Sequence, residues 1–211
     1  MPDNAYEIQV SAYQWGWTFK YASGAQIANE VHVPAGRPIK LVMKSQDVVH
    51  SFFVPDYRIK QDVLPNRYTS LWFQAEEPGE SQVFCAEYCG TSHSDMLAKV
   101  IVHPADEFKT WLANQDTGGG GTPAERGEKL ISLQGCTACH TVDGSPKIGP
   151  TYKGLYGEEV EFNDGSTTKA DDNYIRESIL DPGARIVKGF QNQMASYEGR
   201  LTDDQISDII E

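Results

Sequence analysis

Four consecutive glycines, Gly118 to Gly121, constrain this chain more than any other feature, because a run without side chains has nothing to place in a packed core. With Asn114-Gln115-Asp116-Thr117 ahead of them they read as a linker over 114–121. The 211 residues then divide into two segments of ordinary domain size, 1–113 and 122–211. Apolar periodicity changes across that divide, from strand-like to helical.

Before the linker, Tyr6-Glu7-Ile8-Gln9-Val10 and Ser81-Gln82-Val83-Phe84 alternate, while Ile39 to Met43 and Leu97 to Val102 are runs rich in β-branched residues. Turn signals at Pro34-Ala35-Gly36, Pro65-Asn66 and Pro78-Gly79 separate them. Short strands at this spacing predict an all-β antiparallel sandwich or Greek-key barrel. A short helix after Pro104, with Asp106, Phe108, Trp111 and Leu112 as its stripe, closes the segment. After the linker, Thr122-Pro123-Ala124-Glu125 and Thr202-Asp203-Asp204-Gln205 are capping boxes that start helices, and a third helix runs over Asn173 to Leu180 until Pro182-Gly183 stops it. The second domain is therefore expected to be all-α. Its last helix ends with the chain after two turns and reads as truncated.

The formal net charge of −12 is uneven: residues 1–113 hold 9 basic and 13 acidic side chains, residues 114–211 hold 9 and 17. Such a chain is repelled by nucleic acid and by anionic membrane. The acidity is either a solvated surface or a docking face for a basic partner. No stretch reaches the ~20 apolar residues of a membrane helix, and no signal-peptide core precedes the first strand. The opening Met1-Pro2-Asp3-Asn4 resembles an engineered start from which an anchor or leader has been removed.

Cysteine occurs as two close pairs, Cys85 with Cys89 and Cys136 with Cys139. Two disulfides are one reading of such pairs in an exported protein. Their neighbours favour metal chemistry. Cys136-Thr137-Ala138-Cys139-His140 has the CXXCH spacing of covalent c-type haem attachment, with both thiols reaching the vinyl groups from one helical turn and His140 falling under the iron. A redox CXXC pair does not need the histidine, and a zinc half-site lacks a second pair, since no Cys or His follows His140. Met194, in the polar loop 191–197, is the one methionine after His140, so His140/Met194 is the expected axial pair.

The second constellation is Cys85-Ala86-Glu87-Tyr88-Cys89-Gly90-Thr91-Ser92-His93-Ser94-Asp95-Met96, with His50 upstream. A Cys, a His and a Met on one loop plus a His from an earlier strand form the ligand set of a blue-copper site. A further thiolate at Cys85 lets two sulfurs bridge two coppers. His50 and His93 then serve as terminal imidazoles, Met96 as a weak axial donor, and a loop carbonyl as the remaining ligand. A Cys85–Cys89 disulfide leaves His93 and Met96 unexplained, and a structural Cys₂His₂ zinc has no use for Met96.

Residues 122–211, with CXXCH, Gly149-Pro150 and Met194, resemble small class I cytochromes c. In that family the proline carbonyl orients the proximal histidine. The loop Glu158 to Thr168 exceeds the minimal family pattern and is assigned no role. Residues 5–104, through Tyr13-Gln14-Trp15-Gly16-Trp17, Ser45 to Phe52 and Cys85-x-Glu87-x-Cys89-Gly90-x-x-His93-x-x-Met96, are similar to the copper-A domain of cytochrome c oxidase subunit II. With a cytochrome c domain appended, the whole resembles subunit II of caa-type oxidases. The resemblance implies a cupredoxin barrel, a binuclear copper centre with the Glu87 carbonyl as the missing ligand, and one covalent haem c. It also implies a magnesium or manganese ion held by the Glu87 carboxylate at the contact with subunit I. The family's electron-accepting tryptophan maps onto Trp15, for which an aromatic at the barrel edge is the alternative. His32, His103 and Met43 are read as structural.

The implied function is electron transfer, from an external donor protein, soluble or membrane-bound, through haem c and binuclear copper to oxidase subunit I, with other oxidase subunits as further partners. The membrane hairpin that precedes this domain in the family is missing, so the chain reads as a soluble fragment of a protein on the outer face of a bacterial cytoplasmic membrane. Two rivals are a nitrous oxide reductase fragment, which ordinarily lacks a haem domain, and a free-standing electron shuttle. A quinol-oxidase subunit would keep the barrel and lose the copper ligands.

Overall fold

The computed structural model describes residues 1–115 and 120–211, and the chain forms two compact units, Met1–Gly120 and Gly121–Glu211. The expected linker over 114–121 falls in part on residues 116–119, which lie outside the described residues.

The first unit is built from β1 (Tyr6–Tyr13), β2 (Gly16–Lys20), β3 (Gln26–Ala28), β4 (Glu30–Pro34), β5 (Ile39–Ser45), β6 (His50–Val54), β7 (Ile59–Val63), β8 (Thr69–Phe73), β9 (Gly79–Cys85) and β10 (Leu97–His103). They form two five-stranded sheets, ordered β3-β2-β1-β5-β8 and β4-β10-β9-β6-β7. Alternation sets which face turns inward. In β1, Ile8, Val10 and Ala12 are buried while Glu7 and Gln9 are exposed, and Ile39, Leu41 and Met43 of β5 repeat the pattern. Both sheets feed one core through Trp17, Phe19, Leu41, Phe52, Val83 and Val100. This is the cupredoxin-like β domain that the strand pattern and the resemblance predict.

Pairing is not wholly antiparallel as the short strands suggest. β1 runs parallel to β5 (Ile8 opposite Leu41) and β10 parallel to β4 (Val100 opposite Val31). Partners this distant in sequence are joined by long connections, which free them from the antiparallel rule of hairpins. Short-range strand signals carry no information about such pairs.

Helix α1 (Ala105–Ala113) follows β10 and buries Phe108, with Trp111 and Leu112 packed on the barrel core. Asp106 stands outside that stripe, exposed in the first turn and paired with Lys109 at 3.0 Å.

The second unit contains α2 (Pro123–Leu133), the short α3 (Cys136–Cys139), the hairpin β11 (Glu159–Glu161) with β12 (Thr167–Lys169), α4 (Asp172–Leu180) and α5 (Asp203–Ile210). Both capping boxes form: Thr122 accepts from the Glu125 N–H and Thr202 from the Gln205 N–H, and each N3 side chain reaches back. Asp171 caps α4 in the same way. The unit is helical apart from its hairpin, which folds the loop 158–168 back over Tyr174 of α4 through Val160 and Phe162. Helices α2 and α5 cross closely at Gly127, where a Cβ would lie 1.9 Å from the Asp208 carbonyl oxygen.

Candidate metal centres

β6 and the loop between β9 and β10 bring the copper candidates together. His50 opens β6 with its side chain fully buried, and Cys85 closes β9. Cys89, His93 and Met96 follow within the connection to β10, where His93 begins a turn of 3₁₀ helix and Met96 caps it. Cys89 and Met96 are buried, and His93 is half-buried.

The two free thiols stand with their Sγ atoms 3.7 Å apart. His50 Nδ1 lies 3.8 Å from Cys85 Sγ, His93 Nδ1 3.5 Å from Cys89 Sγ, and Met96 Sδ 3.7 Å from Cys89 Sγ. The Glu87 carbonyl oxygen is 3.3 Å from Cys85 Sγ. Metal–sulfur bonds of about 2.3 Å and metal–nitrogen bonds of about 2.0 Å, at tetrahedral angles, put neighbouring donors roughly 3.5–3.8 Å apart. The spacing of these side chains therefore fits donors that share ions. The donors of His50, Cys85 and Cys89 all lie within 4.8 Å of one another, whereas His93 stands outside that group and meets it at Cys89.

Electrostatics point the same way. Burial raises both thiols, but at Cys85 hydrogen bonds with His50, with the Ser51 backbone and with the loop outweigh it and bring the thiol down. At Cys89 the neighbouring Cys85 thiolate adds to burial and pushes the second thiol up. One thiolate forms readily, and two at this distance need positive charge between them.

Asp47 was not singled out by its sequence context, yet its Oδ1 sits 2.8 Å from His50 Nε2. Burial alone would raise this carboxyl; hydrogen bonds from His50 and from the N–H groups of Gln14 and Val48 outweigh it and hold it below the usual range. An ionised carboxylate only accepts, so Nε2 carries the ring proton and Nδ1 faces the sulfur with its lone pair. Burial likewise works against the charged form of His50, but the Asp47 and Cys85 contacts raise its pKa overall. Trp15 is half-buried in the β1–β2 turn and donates its indole N–H to the Cys89 carbonyl at 3.0 Å. The Glu87 side chain is exposed.

In the second unit α3 carries Cys136 and Cys139 on a single turn, and His140 terminates it. His140 Nδ1 lies 2.7 Å from the Pro150 carbonyl oxygen, which can only accept. The proton is therefore on Nδ1, and Nε2 keeps its lone pair free to act as a donor atom. Burial lowers the imidazole's pKa, the Pro150 hydrogen bond partly offsetting it. The 149–152 segment is tied to the Cys136–Thr141 segment by Gly149 N–H to the Cys139 carbonyl at 2.8 Å and Tyr152 N–H to the Thr141 carbonyl at 2.7 Å. Tyr152 stacks on the His140 ring at 4.7 Å and 14°, a contact that its sequence context did not signal.

His140 and Met194 line one cavity of about 830 Å³, walled by apolar side chains that include Ile131, Ile175, Ile179 and Val187. Its volume lies in the ~300–1,000 Å³ range of sites that take cofactors. The Met194 loop is moored at its far end, where Tyr197 donates through its hydroxyl to the Gln134 carbonyl and through its N–H to that of Ile179.

Comparison with known proteins finds a family match for each unit. Residues 22–103 match the family "Cytochrome C oxidase subunit II, periplasmic domain", and residues 124–211 match "Cytochrome c". The chain joins a cytochrome c oxidase subunit II periplasmic domain to a cytochrome c domain. Copper and haem binding come with these two families, and the periplasmic family places the barrel outside the cytoplasm.

Curated relatives agree. "Cytochrome c oxidase subunit 2" of Synechocystis is 39% identical over 110 residues, covering 52% of this chain and 33% of its own length. That of Alkalihalophilus pseudofirmus is 32% identical over 163 residues (75% and 48%), and that of Bacillus subtilis 26% over 224 (99% and 62%). The chain thus spans less than two thirds of the length of these relatives. Among solved structures, the periplasmic domain of subunit II of cytochrome oxidase from Bradyrhizobium japonicum superposes with a TM-score of 0.52 at 26% identity, covering 54% of this chain and 95% of that one. No helix among the described residues is long and apolar enough to cross a membrane.

Proposed function

We propose that this chain is the electron-transfer subunit of a caa-type haem-copper oxidase, with a binuclear copper centre in the barrel and one covalent haem c in the helical unit. The observation that carries the reading is the pair of sulfurs 3.7 Å apart with an imidazole Nδ1 facing each. Cys85 and Cys89 would bridge the two ions, His50 and His93 would each terminate one, and Met96 and the Glu87 carbonyl would complete the set. Because His93 stands outside the group formed by His50, Cys85 and Cys89, two ions suit the donors better than one. Cys136 and Cys139 would hold the haem through thioether bonds, with His140 and Met194 on its two faces. That reading is supported by the shared cavity and by the Nδ1–H contact with Pro150.

When bound, the haem and the copper pair supply one-electron chemistry, taking electrons from an external donor and passing them to subunit I, where oxygen is reduced. The protein's own part is to hold the donors still, so that little rearranges between redox states. Asp47 fixes the His50 ring and Pro150 the His140 ring. Trp15, bonded to the Cys89 carbonyl at the barrel rim, is the residue we assign to receive electrons. The exposed Glu87 carboxylate is suited to a magnesium or manganese ion at the contact with subunit I. The native protein would sit at the outer face of a bacterial cytoplasmic membrane.

Metal analysis with EPR tests the assignment. Two coppers per haem iron, with hyperfine lines from two equivalent coppers, is the expected result; one copper, or zinc in its place, overturns it. Cys89→Ser should abolish the copper-pair signal and leave the haem spectrum intact, and Met194→Ala should alter the haem spectrum and leave the copper-pair signal intact.

A further inference from the structure

We infer that Gln14 is a positioning residue of the copper loop, holding Cys89 through its backbone carbonyl and keeping that carbonyl away from the metal. The inference rests on the copper reading above.

Gln14 and Trp15 are the two residues of the turn between β1 and β2, whose last pair is Tyr13 opposite Gly16. Both side chains reach over the 85–96 loop to the same atom. Gln14 Nε2 donates to the Cys89 oxygen at 2.7 Å and Trp15 Nε1 to the same oxygen at 3.0 Å. A carbonyl has two lone pairs, and both are thereby engaged. The Glu87 oxygen, 3.3 Å from Cys85 Sγ, is left as the loop carbonyl turned toward the sulfurs.

The same turn also braces the other side of the site. The backbone N–H of Gln14 donates to Asp47 Oδ2 at 2.7 Å, and the second oxygen of Asp47 holds His50 Nε2. One residue therefore links the Cys89 loop to the His50 side of the site by donating two hydrogen bonds, one from its side chain and one from its backbone. The next residue in the loop leaves room for this. Gly90 has φ +115, and a Cβ there would lie 2.9 Å from Gln14 Nε2 and 3.0 Å from the Trp15 ring. Trp15 packs against the barrel core as well, so its size has a second purpose. Gln14 is exposed, and burial gives no reason for a glutamine at that place. Its donor does.

Partners that orient metal ligands typically account for a 10–100-fold change in metal affinity. The test uses the full chain carrying both centres, with Gln14→Met and Gln14→Glu. Both variants preserve length, neither can donate, and only one adds charge. The expected result is copper held roughly 10–100-fold more weakly by both in competition with a copper chelator. The copper hyperfine pattern should change, while the haem spectrum and the melting of the metal-free protein stay as in the parent. If Gln14 merely packs, Gln14→Met keeps parental affinity and hyperfine pattern, which overturns the inference while the parent still holds two coppers. If the parent itself takes up no copper pair, the copper reading falls and this inference with it.

Discussion

Gly149 shows how tightly a single residue can be bound to the chemistry beside it. A Cβ there would lie 2.7 Å from Cε1 of His140 and 2.9 Å from its Nδ1, so any side chain pushes the ring off the Pro150 carbonyl. Gly149→Ala should cost about 1–3 kcal/mol by overpacking and lower the fraction of low-spin haem in the absorption spectrum. An unchanged spectrum would show that the ring tolerates the shift. Asp47 and Tyr152 belong to the same scale. Asp47 reaches His50 from three residues away in the turn between β5 and β6, whereas Tyr152 reaches His140 by doubling back after Pro150.

Among elements, α1 is moored by rings. His32 of β4 is buried, its Nδ1 is 2.8 Å from His103 Nε2, and Trp111 stacks on it at 4.0 Å and 15°. The hydrogen bond requires at least one neutral imidazole. Burial and then His103 lower the His32 pKa, with Glu30, 3.4 Å from Nε2, working the other way. A histidine in the unfolded chain titrates near ~6.5. As pH falls through that value the unfolded chain takes up a proton that the folded His32 resists, so this residue's contribution to stability falls until its lower folded pKa is passed. His32→Gln should therefore lose about 1 kcal/mol at pH 7.5 and show a shallower acid decline in melting temperature between pH 7 and 5. An equally steep decline would place the effect elsewhere.

The α2–α5 crossing offers a sharper case. With a backbone oxygen 1.9 Å from where its Cβ would be, Gly127→Ala must push the two helices apart. Loss of about 3 kcal/mol or more is expected by thermal unfolding, with the Arg126–Asp208 ion pair across the same contact disturbed as well.

At the scale of the molecule, two units with separate cores should melt as separate transitions. Copper at a thousand times its Kd should add about 4 kcal/mol to the barrel and leave the helical unit where it was. Calorimetry with and without copper reads this directly, and a joint shift of both transitions would refute independent folding. The acidity is carried mostly by the second unit, where Glu158, Glu159 and Glu161 lie at the rim of the cavity that holds His140 and Met194.

What the sequence determined by itself is chemistry written in short intervals. CXXCH, the Cys85–Met96 loop, the capping boxes and the alternating strands are all local, and residues a few positions apart need only one turn or one loop to act together. The change of periodicity at the glycines was equally plain. Tertiary structure alone decided which distant residues became neighbours. It made β1 and β10 run parallel to β5 and β4, and it brought His50 within 3.8 Å of Cys85 from 35 residues away. It also put the Gln14 amide on the Cys89 carbonyl across 75 residues. The reason is physical: ligand identity follows from side-chain chemistry, whereas the groups that hold ligands still are ordinary polar residues whose meaning lies in what the packed core sets beside them.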